Sequence, residues 1–170
     1  MTGHNSMKMA ALSDLYTKIG FRENKTYIQS GNVIFKAEEQ ADKKAIGAKI
    51  EQEILKTFGY DIPVIIRDID EIKQLASSNP YILMPDFEPS KMAVIFLLNP
   101  ATKAGIDKMK DISYPPDQYS ISDREIFVYC PNGFGRTKLY TNFFESKMGV
   151  IGTARNWKTV STLLTMAENF

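Results

Sequence analysis

The stretch MAVIFLL, residues 92–98, decides the fold of this chain because it is the longest strongly apolar run in the sequence. A continuous apolar run of this length, bounded by polar residues and a proline, predicts a buried strand. The run is far shorter than the roughly 20 residues that a membrane-spanning helix requires. We therefore expect the second half of the chain to begin with a buried strand.

The residues after this strand predict further strands and helices in a fixed order. Apolar spacing and turn signals give β-α-β-β-α-β followed by one more helix, which is the split βαβ or ferredoxin-like order. The predicted elements are a helix over residues 101–110, strands over 118–122 and 125–130, a helix over 137–149, a strand over 150–154 and a helix over 156–169.

The first half predicts the same order with its first strand missing. The predicted elements are a helix over residues 6–19, hairpin strands over 25–29 and 32–36, a helix over 41–59, a strand over 62–68 and a short helix over 68–79. Ser30 and Gly31 have the composition of a tight hairpin turn. The sequence therefore predicts an α+β protein of two ferredoxin-like halves in tandem, the first lacking its N-terminal strand.

A proline-rich stretch separates the two halves. Residues 79–91 contain three prolines and no clean period, which is typical of a linker or a long covering loop. We predict a first half over residues 1–78 and a second half over residues 92–170, with this stretch between them.

The composition excludes several classes of protein. The net charge of +1 creates no global field for nucleic acid or a membrane, so that any anion site must be local. Cys130 is the single cysteine and His4 the single histidine, which excludes a disulfide framework and the usual zinc sites. We predict no metal, no cofactor and no membrane partner. The first twenty residues lack the pattern of a signal peptide, and the single cysteine fits a reducing compartment, so we predict a cytoplasmic location.

Four separated motifs resemble a known family. MKMAAL, KTYIQSGNVIF, NGFGRTKL and RNWKTV, in this order and spacing, resemble the bacterial domain-of-unknown-function family numbered 1697. The resemblance covers nearly the whole chain and implies a two-part α+β fold with ferredoxin-like halves. It implies no reaction, because the family is defined without one.

The resemblance also implies an additional strand before the residues TGHNSMKM, which this sequence does not contain. The first strand of a ferredoxin-like half is central, and its loss leaves strand edges unpaired. We expect one of three explanations: a misassigned start codon, a gap filled by another segment or a partner chain, or a rearranged half.

The stretch PNGFGRTKL, residues 131–139, is the first candidate binding site. It only weakly matches phosphate-binding glycine motifs. Arg136 and Lys138 are predicted in the first turn of a helix, where the helix dipole disfavours each cation by about 0.3–1 kcal/mol. An anion bound to the free N–H groups around Gly133 and Gly135 would offset this cost.

The last predicted helix repeats the pattern. Arg155 and Lys158 lie at its start, with Asn156 as the expected N-cap. If both helix starts adjoin, their cations form a compact site suited to phosphate or carboxylate. The alternative is that these side chains are solvated or paired with carboxylates, which is common at protein surfaces.

Two other features carry open alternatives. Trp157 is expected in the core, although its indole beside the basic cluster could stack on a base. Gln29 and Asn32 are explained by turn geometry or by hydrogen bonds to a ligand.

Three functions follow. The first is a binding module for a phosphate-bearing ligand, nucleotide or nucleic acid. The second is a small enzyme with a site between the halves that uses Gln29, Asn32 and the same cations. The third is a protein-interaction or oligomerisation module whose open sheet edge is the docking surface, which keeps a homo-oligomer open.

Overall fold

The structure is a computed structural model that describes residues 6–170, and it shows an α+β fold built of α-helices and two small antiparallel sheets. The chain divides into two compact units. The first contains the chain up to Asp68 together with Thr165–Phe170, and the second is Ile69–Leu164. In the described part of the chain, no helix is long and apolar enough to cross a membrane.

In the first unit, two helices pack beside a two-stranded sheet. The elements are α1 Met9–Lys18, β1 Asn24–Tyr27, β2 Asn32–Phe35 and α2 Lys43–Phe58. The apolar spacing predicted for both helices is present, because Leu12 and Leu15 of α1 and Ile50 and Ile54 of α2 are buried in one cluster. Helix α2 ends at Gly59, whose φ of 75° is the left-handed cap that glycine favours.

Two predictions for the first unit are wrong in detail. Residues 62–68 form no strand, since no strand lies beside them among the described residues; Ile62, Val64 and Ile66 nevertheless pack on the helical core. The hairpin loop spans residues 28–31 rather than two residues, because Tyr27 already pairs with Asn32. Ile28 takes a φ of 47° in this loop, which is unusual for a β-branched residue.

The second unit has a four-stranded antiparallel sheet in the order β4-β5-β3-β6. Its strands are β3 Met92–Leu97, β4 Gln118–Ile121, β5 Glu125–Tyr129 and β6 Gly152–Asn156. Its helices are α3 Ile69–Ser77, α4 Lys103–Met109, α5 Thr141–Met148 and α6 Trp157–Glu168, of which the last continues into the first unit.

Strand β3 is buried on both faces, as its apolar run predicts. One face carries Ile95 and Leu97, which pack with Phe144 and Met148 of α5. The opposite face carries Met92, Val94 and Phe96, which are also buried.

Residues 79–91, predicted as a linker or covering loop, lie within the second unit. Asn79 donates a hydrogen bond to the Met92 sulfur at 3.2 Å. The rings of Tyr81 and Phe87 each lie 5.7 Å, centroid to centroid, from the ring of Tyr129. The stretch therefore covers the sheet face that α4 and α5 leave open.

Candidate functional site

Both predicted basic regions lie at one end of the second sheet. In the ladder, Met92 at the start of β3 pairs with Tyr129 at the end of β5, and Ala93 pairs with Asn156 at the end of β6. The segments that follow β5 and β6 therefore leave the sheet at the end where β3 begins. Because β3 lies between them, β5 and β6 are two interstrand spacings apart, about 10 Å.

The glycine loop, which we define as residues 131–140, differs from the prediction. Helix α5 begins at Thr141, so Arg136 and Lys138 precede the helix instead of lying in its first turn. The dipole argument therefore does not apply to these two cations. Gly133 has a φ of 84°, and its N–H donates to the Cys130 carbonyl at 2.9 Å, which closes a turn that glycine favours.

Thr137 holds the glycine loop to the rest of the unit. Its hydroxyl donates to the Asp117 carboxylate at 2.7 Å and accepts from the Leu139 N–H at 3.1 Å. The Cys130 thiol lies 3.4 Å from the same hydroxyl. Burial raises the pKa of the Cys130 thiol, and the Thr137 bond opposes this rise. The loop is thus held at Thr137, whereas Gly135 and Arg136, which precede Thr137, are exposed.

The two cations of the loop have different surroundings. The Lys138 ammonium lies 5.2 Å from the centroid of the Tyr114 ring, a cation–π contact that ties it to the turn before β4. Arg136 is exposed. Both side chains are exposed, but Lys138 already has an aromatic partner, so Arg136 is the stronger candidate of the two for a ligand in front of the loop.

Lys91 is a cation of this site that the sequence did not indicate. It immediately precedes β3, and its carbonyl accepts from the Cys130 N–H at 2.8 Å. A Cβ placed on Gly133 would lie 3.9 Å from the Lys91 ammonium nitrogen, so the ammonium lies beside the turn of the glycine loop. The sequence did not indicate Lys91 because it lies in the proline-rich stretch, far along the chain from Gly133. Only the strand register shows that the two residues are neighbours.

The start of α6 agrees with its predicted cap. The Asn156 side chain accepts from the Thr159 N–H at 2.8 Å, as an N-cap does. Lys158 is exposed in the first turn, where the helix dipole disfavours a cation.

Arg155, by contrast, belongs to β6 and not to the helix. Its guanidinium donates to Thr153 Oγ1 at 2.7 Å and to the Ala154 carbonyl at 2.8 Å. Burial lowers the pKa of this guanidinium below its usual value. Neighbouring strand residues face opposite sides, so the side chains of Arg155 and Asn156 do not point to the same side of the sheet.

Gln29 and Asn32 lie in the first unit and serve its hairpin. Gln29 Nε2 donates to the Met7 carbonyl at 2.5 Å. Asn32 Nδ2 donates to the Tyr27 carbonyl at 3.1 Å and to Ser30 Oγ at 2.7 Å. The turn interpretation therefore fits Asn32, whereas Gln29 joins the hairpin loop to Met7, just before α1.

The remaining sequence candidates do not add to the site. Trp157 is 7% exposed, which leaves its indole in the core and without a free face for stacking. His4 lies outside the described residues. Among residues 6–170, no group of three or more His, Cys, Asp or Glu side chains could hold a metal ion.

The fold and this sheet end define a class, an α+β protein with a local basic surface at the end of an antiparallel sheet. The chain belongs to the family described as "Protein of unknown function (DUF1697)", whose family model matches residues 1–127. This match confirms the family resemblance over residues 1–127, which contain the motifs MKMAAL and KTYIQSGNVIF; the motifs NGFGRTKL and RNWKTV lie beyond the matched residues. No curated protein matches the chain.

A solved structure shows the same fold. A conserved bacterial protein from Streptococcus pneumoniae is similar to this chain with a TM-score of 0.74 and 18% sequence identity. The similarity covers 98% of this chain and 92% of the other. At this identity, the likeness supports the fold alone.

Proposed function

We propose that the end of the second sheet binds a phosphate-bearing ligand. The observation that supports this is that the three segments carrying Lys91, Arg136 and Lys158 all lie at one end of the sheet. Among the described residues, none of these three side chains lies within salt-bridge distance of a carboxylate. We name these three residues the basic triplet.

A bound anion would satisfy several groups at once. Arg136 offers a planar fork that matches two phosphate oxygens, and Lys91 offers an ammonium beside the same loop. The exposed main chain around Gly135 and the start of α6 supply N–H groups and the positive end of a helix dipole. A phosphate would also offset the cost of holding Lys158 at that helix start.

We also infer that the two units are tandem versions of the split βαβ arrangement. The second unit has the element order β3-α4-β4-β5-α5-β6, and the first has α1-β1-β2-α2 followed by extended residues 62–66. Nothing in the proposed binding site depends on this inference, because all of its residues belong to the second unit.

The test uses tripolyphosphate as a probe and calorimetry as the readout. Replacing Lys91 or Arg136 by glutamine is expected to weaken binding roughly 10- to 150-fold each, since a charge-assisted hydrogen bond contributes about 1.5–3 kcal/mol. Lys138→Gln is the matched control, because it removes a charge from the same loop that is already engaged by Tyr114.

The affinity must also fall as salt is raised, because contacts to phosphate release or compete with ions. The proposal is wrong if the wild-type protein binds no tripolyphosphate, nucleotide or nucleic acid. It is equally wrong if Lys138→Gln weakens binding as much as Arg136→Gln does.

A second candidate function rests on the first unit, which we propose can accept an additional β-strand. Strand β2 and residues 62–66 both pack on α1 and α2, yet no hydrogen bond joins their main chains within the described residues. In the second unit, β3 pairs with both β5 and β6, which hold the corresponding places. The open position in the first unit would therefore take an extended apolar segment that runs antiparallel to its neighbours.

Mass spectrometry and size measurement on protein from its natural source test this candidate. Co-purification of a second polypeptide, a dimer, or a longer chain whose extra residues are protected from hydrogen exchange would support strand addition. A monomer whose mass matches residues 1–170, with fast exchange in residues 32–35 and 62–66, would contradict it.

A further inference from the structure

Tyr140 presents an aromatic surface in the same loop as Arg136. Its side chain is 50% exposed, although it lies between Leu139, which is 3% exposed, and the first turn of α5. Buried neighbours usually draw an aromatic ring inward, and exposed rings are concentrated at binding surfaces. Phosphate binding alone does not explain why the glycine loop carries this exposed aromatic ring.

The main chain of Tyr140 is held by hydrogen bonds, and its hydroxyl makes one long contact with the loop. The main chain on its C-terminal side is held because the Phe143 and Phe144 N–H groups donate to the Tyr140 carbonyl at 3.1 and 3.3 Å. At the other end of the side chain, the hydroxyl donates to the Phe134 carbonyl at 3.5 Å, a long bond. The ring thus spans the loop from residue 140 back to residue 134, and Gly135 and Arg136 lie between these two ends.

The position of the ring relates it to the cations. Phe134 directly follows Gly133, the residue beside the Lys91 ammonium. A ligand whose phosphate contacts Arg136 would lie against the loop that also carries the exposed ring of Tyr140, four residues further along the chain. A planar ring on that ligand could stack on the exposed face of the Tyr140 ring.

We propose that Tyr140 is a stacking platform, and that the ligand of this site is a nucleobase joined to phosphate. This inference rests on the proposed function, because it takes the phosphate site as given. The same chemistry occurs in a free nucleotide and in single-stranded nucleic acid, and the affinities for ATP and for a single-stranded oligothymidine distinguish these two sources.

The experiment compares ATP with tripolyphosphate, which has the phosphates but no ring. Tyr140→Leu is expected to weaken ATP binding roughly 5- to 100-fold, the loss that removal of a stacking side chain causes, and to leave tripolyphosphate binding unchanged. Tyr140→Phe is the matched control, because it keeps the ring and removes only the hydroxyl. Circular dichroism and Trp157 fluorescence verify that each variant is folded.

The outcomes separate this inference from the proposed function. If wild-type protein binds tripolyphosphate but binds neither ATP nor oligothymidine more tightly, the stacking role is overturned and the phosphate site stands. If Tyr140→Leu weakens ATP and tripolyphosphate equally, the ring only shapes the loop, and the inference is again overturned. If none of the three probes binds, both proposals fail.

A preference for oligothymidine over ATP, with an affinity that falls more steeply with salt, identifies nucleic acid as the source. A preference for ATP with a shallow salt dependence identifies a free nucleotide. Either result supports the base-stacking role when Tyr140→Leu removes the preference.

Discussion

Both units contain an α-β-β-α run, α1-β1-β2-α2 in the first and α4-β4-β5-α5 in the second, and they differ in the strands around it. In the second unit, β3 fills the centre of the sheet and its residues Met92, Val94 and Leu97 are 0% exposed. In the first unit, β2 pairs with β1 alone and residues 62–66 pair with no strand among the described residues, and Val33, Phe35, Val64 and Ile66 remain only partly buried. The difference between the units is therefore one central strand. With it, the second unit forms a sheet buried on both faces; without it, the hairpin of the first unit is buried only by packing on its helices.

The loops that follow corresponding strands differ in charge as well. After β5, the glycine loop carries Arg136 and Lys138, whereas the segment after β2 carries exposed Glu38 and Glu39 before Asp42 caps α2. The same place in the two element orders is therefore basic in one unit and acidic in the other. This contrast supports a site specific to the second unit, because a basic loop is not required by the fold.

The largest expected difference between the units lies in their cores. Phe144→Ala should cost about 3–5 kcal/mol of stability, because the Phe144 side chain is 0% exposed. Phe35→Ala in the first unit should cost about 1–2 kcal/mol, since that ring is only partly buried. Denaturant unfolding followed by the fluorescence of Trp157 reports on the second unit, and circular dichroism reports on both. Equal losses would contradict the contrast.

The stability of the protein at alkaline pH tests the packing of residues 79–91 on the second sheet. Burial raises the pKa of Tyr81 to about 12 from a usual 10, with a smaller contribution from Cys130. The folded state therefore keeps the phenol proton more tightly, and this stability is complete below pH 10 and is lost as pH rises towards 12. The loss should be about 1.4 kcal/mol per pH unit in that window. Tyr81→Phe should leave stability at pH 7 unchanged and make the alkaline decline shallower.

Two helical glycines sharpen the comparison because alanine should have opposite effects on them. A Cβ at Gly105 of α4 would lie 2.9 Å from the Met148 carbonyl oxygen, so Gly105→Ala should cost about 1–3 kcal/mol. A Cβ at Gly47 of α2 would lie 3.5 Å from the Val64 carbonyl oxygen, an ordinary contact. Gly47→Ala should therefore stabilise by about 0.5–1 kcal/mol through helix propensity. Thermal unfolding measures both, and destabilisation by Gly47→Ala would show tighter packing of the first unit.

The last expected effect concerns the anchor of the glycine loop. Thr137→Val removes the bond to Asp117 and leaves the Leu139 N–H without its acceptor, at a cost of about 1–2 kcal/mol. Thr137→Ser keeps the hydroxyl and should be close to wild type. Limited proteolysis within residues 131–140 gives a direct measure, and equal cleavage of both variants would show that the hydroxyl does not hold the loop.

Much of the fold was predictable because local pattern and tertiary structure agree. The run at residues 92–98 is a buried strand, and the hairpins, α2 and α6 lie within a few residues of their expected bounds. The exceptions have physical causes. Residues 62–68 pack Ile62, Val64 and Ile66 on the core but form no strand, because a ladder also requires a neighbouring strand, which local sequence pattern does not describe.

The predicted start of α5, at residue 137, was wrong for a different reason. Leu139 and Phe143 have helical spacing, so the pattern extended the helix back into the glycine loop. Leu139 is instead buried as part of the loop anchor that Thr137 forms. Lys91 joined the candidate site only through the pairing of β3 with β5, and a register of this kind cannot be read from spacing along one chain.

No loop connects β6 to α6, because the helix begins at the residue that follows the strand. Asn156 is the last residue of β6, paired with Ala93, and its side chain caps the helix that begins at the next residue. A loop would absorb a small rotation of the first helical turn, but here such a rotation must strain a ladder contact of an edge strand. The start of α6 is therefore directly connected to β6. A displacement of the helix start should change the rates at which the main-chain amides of β6 exchange their hydrogens.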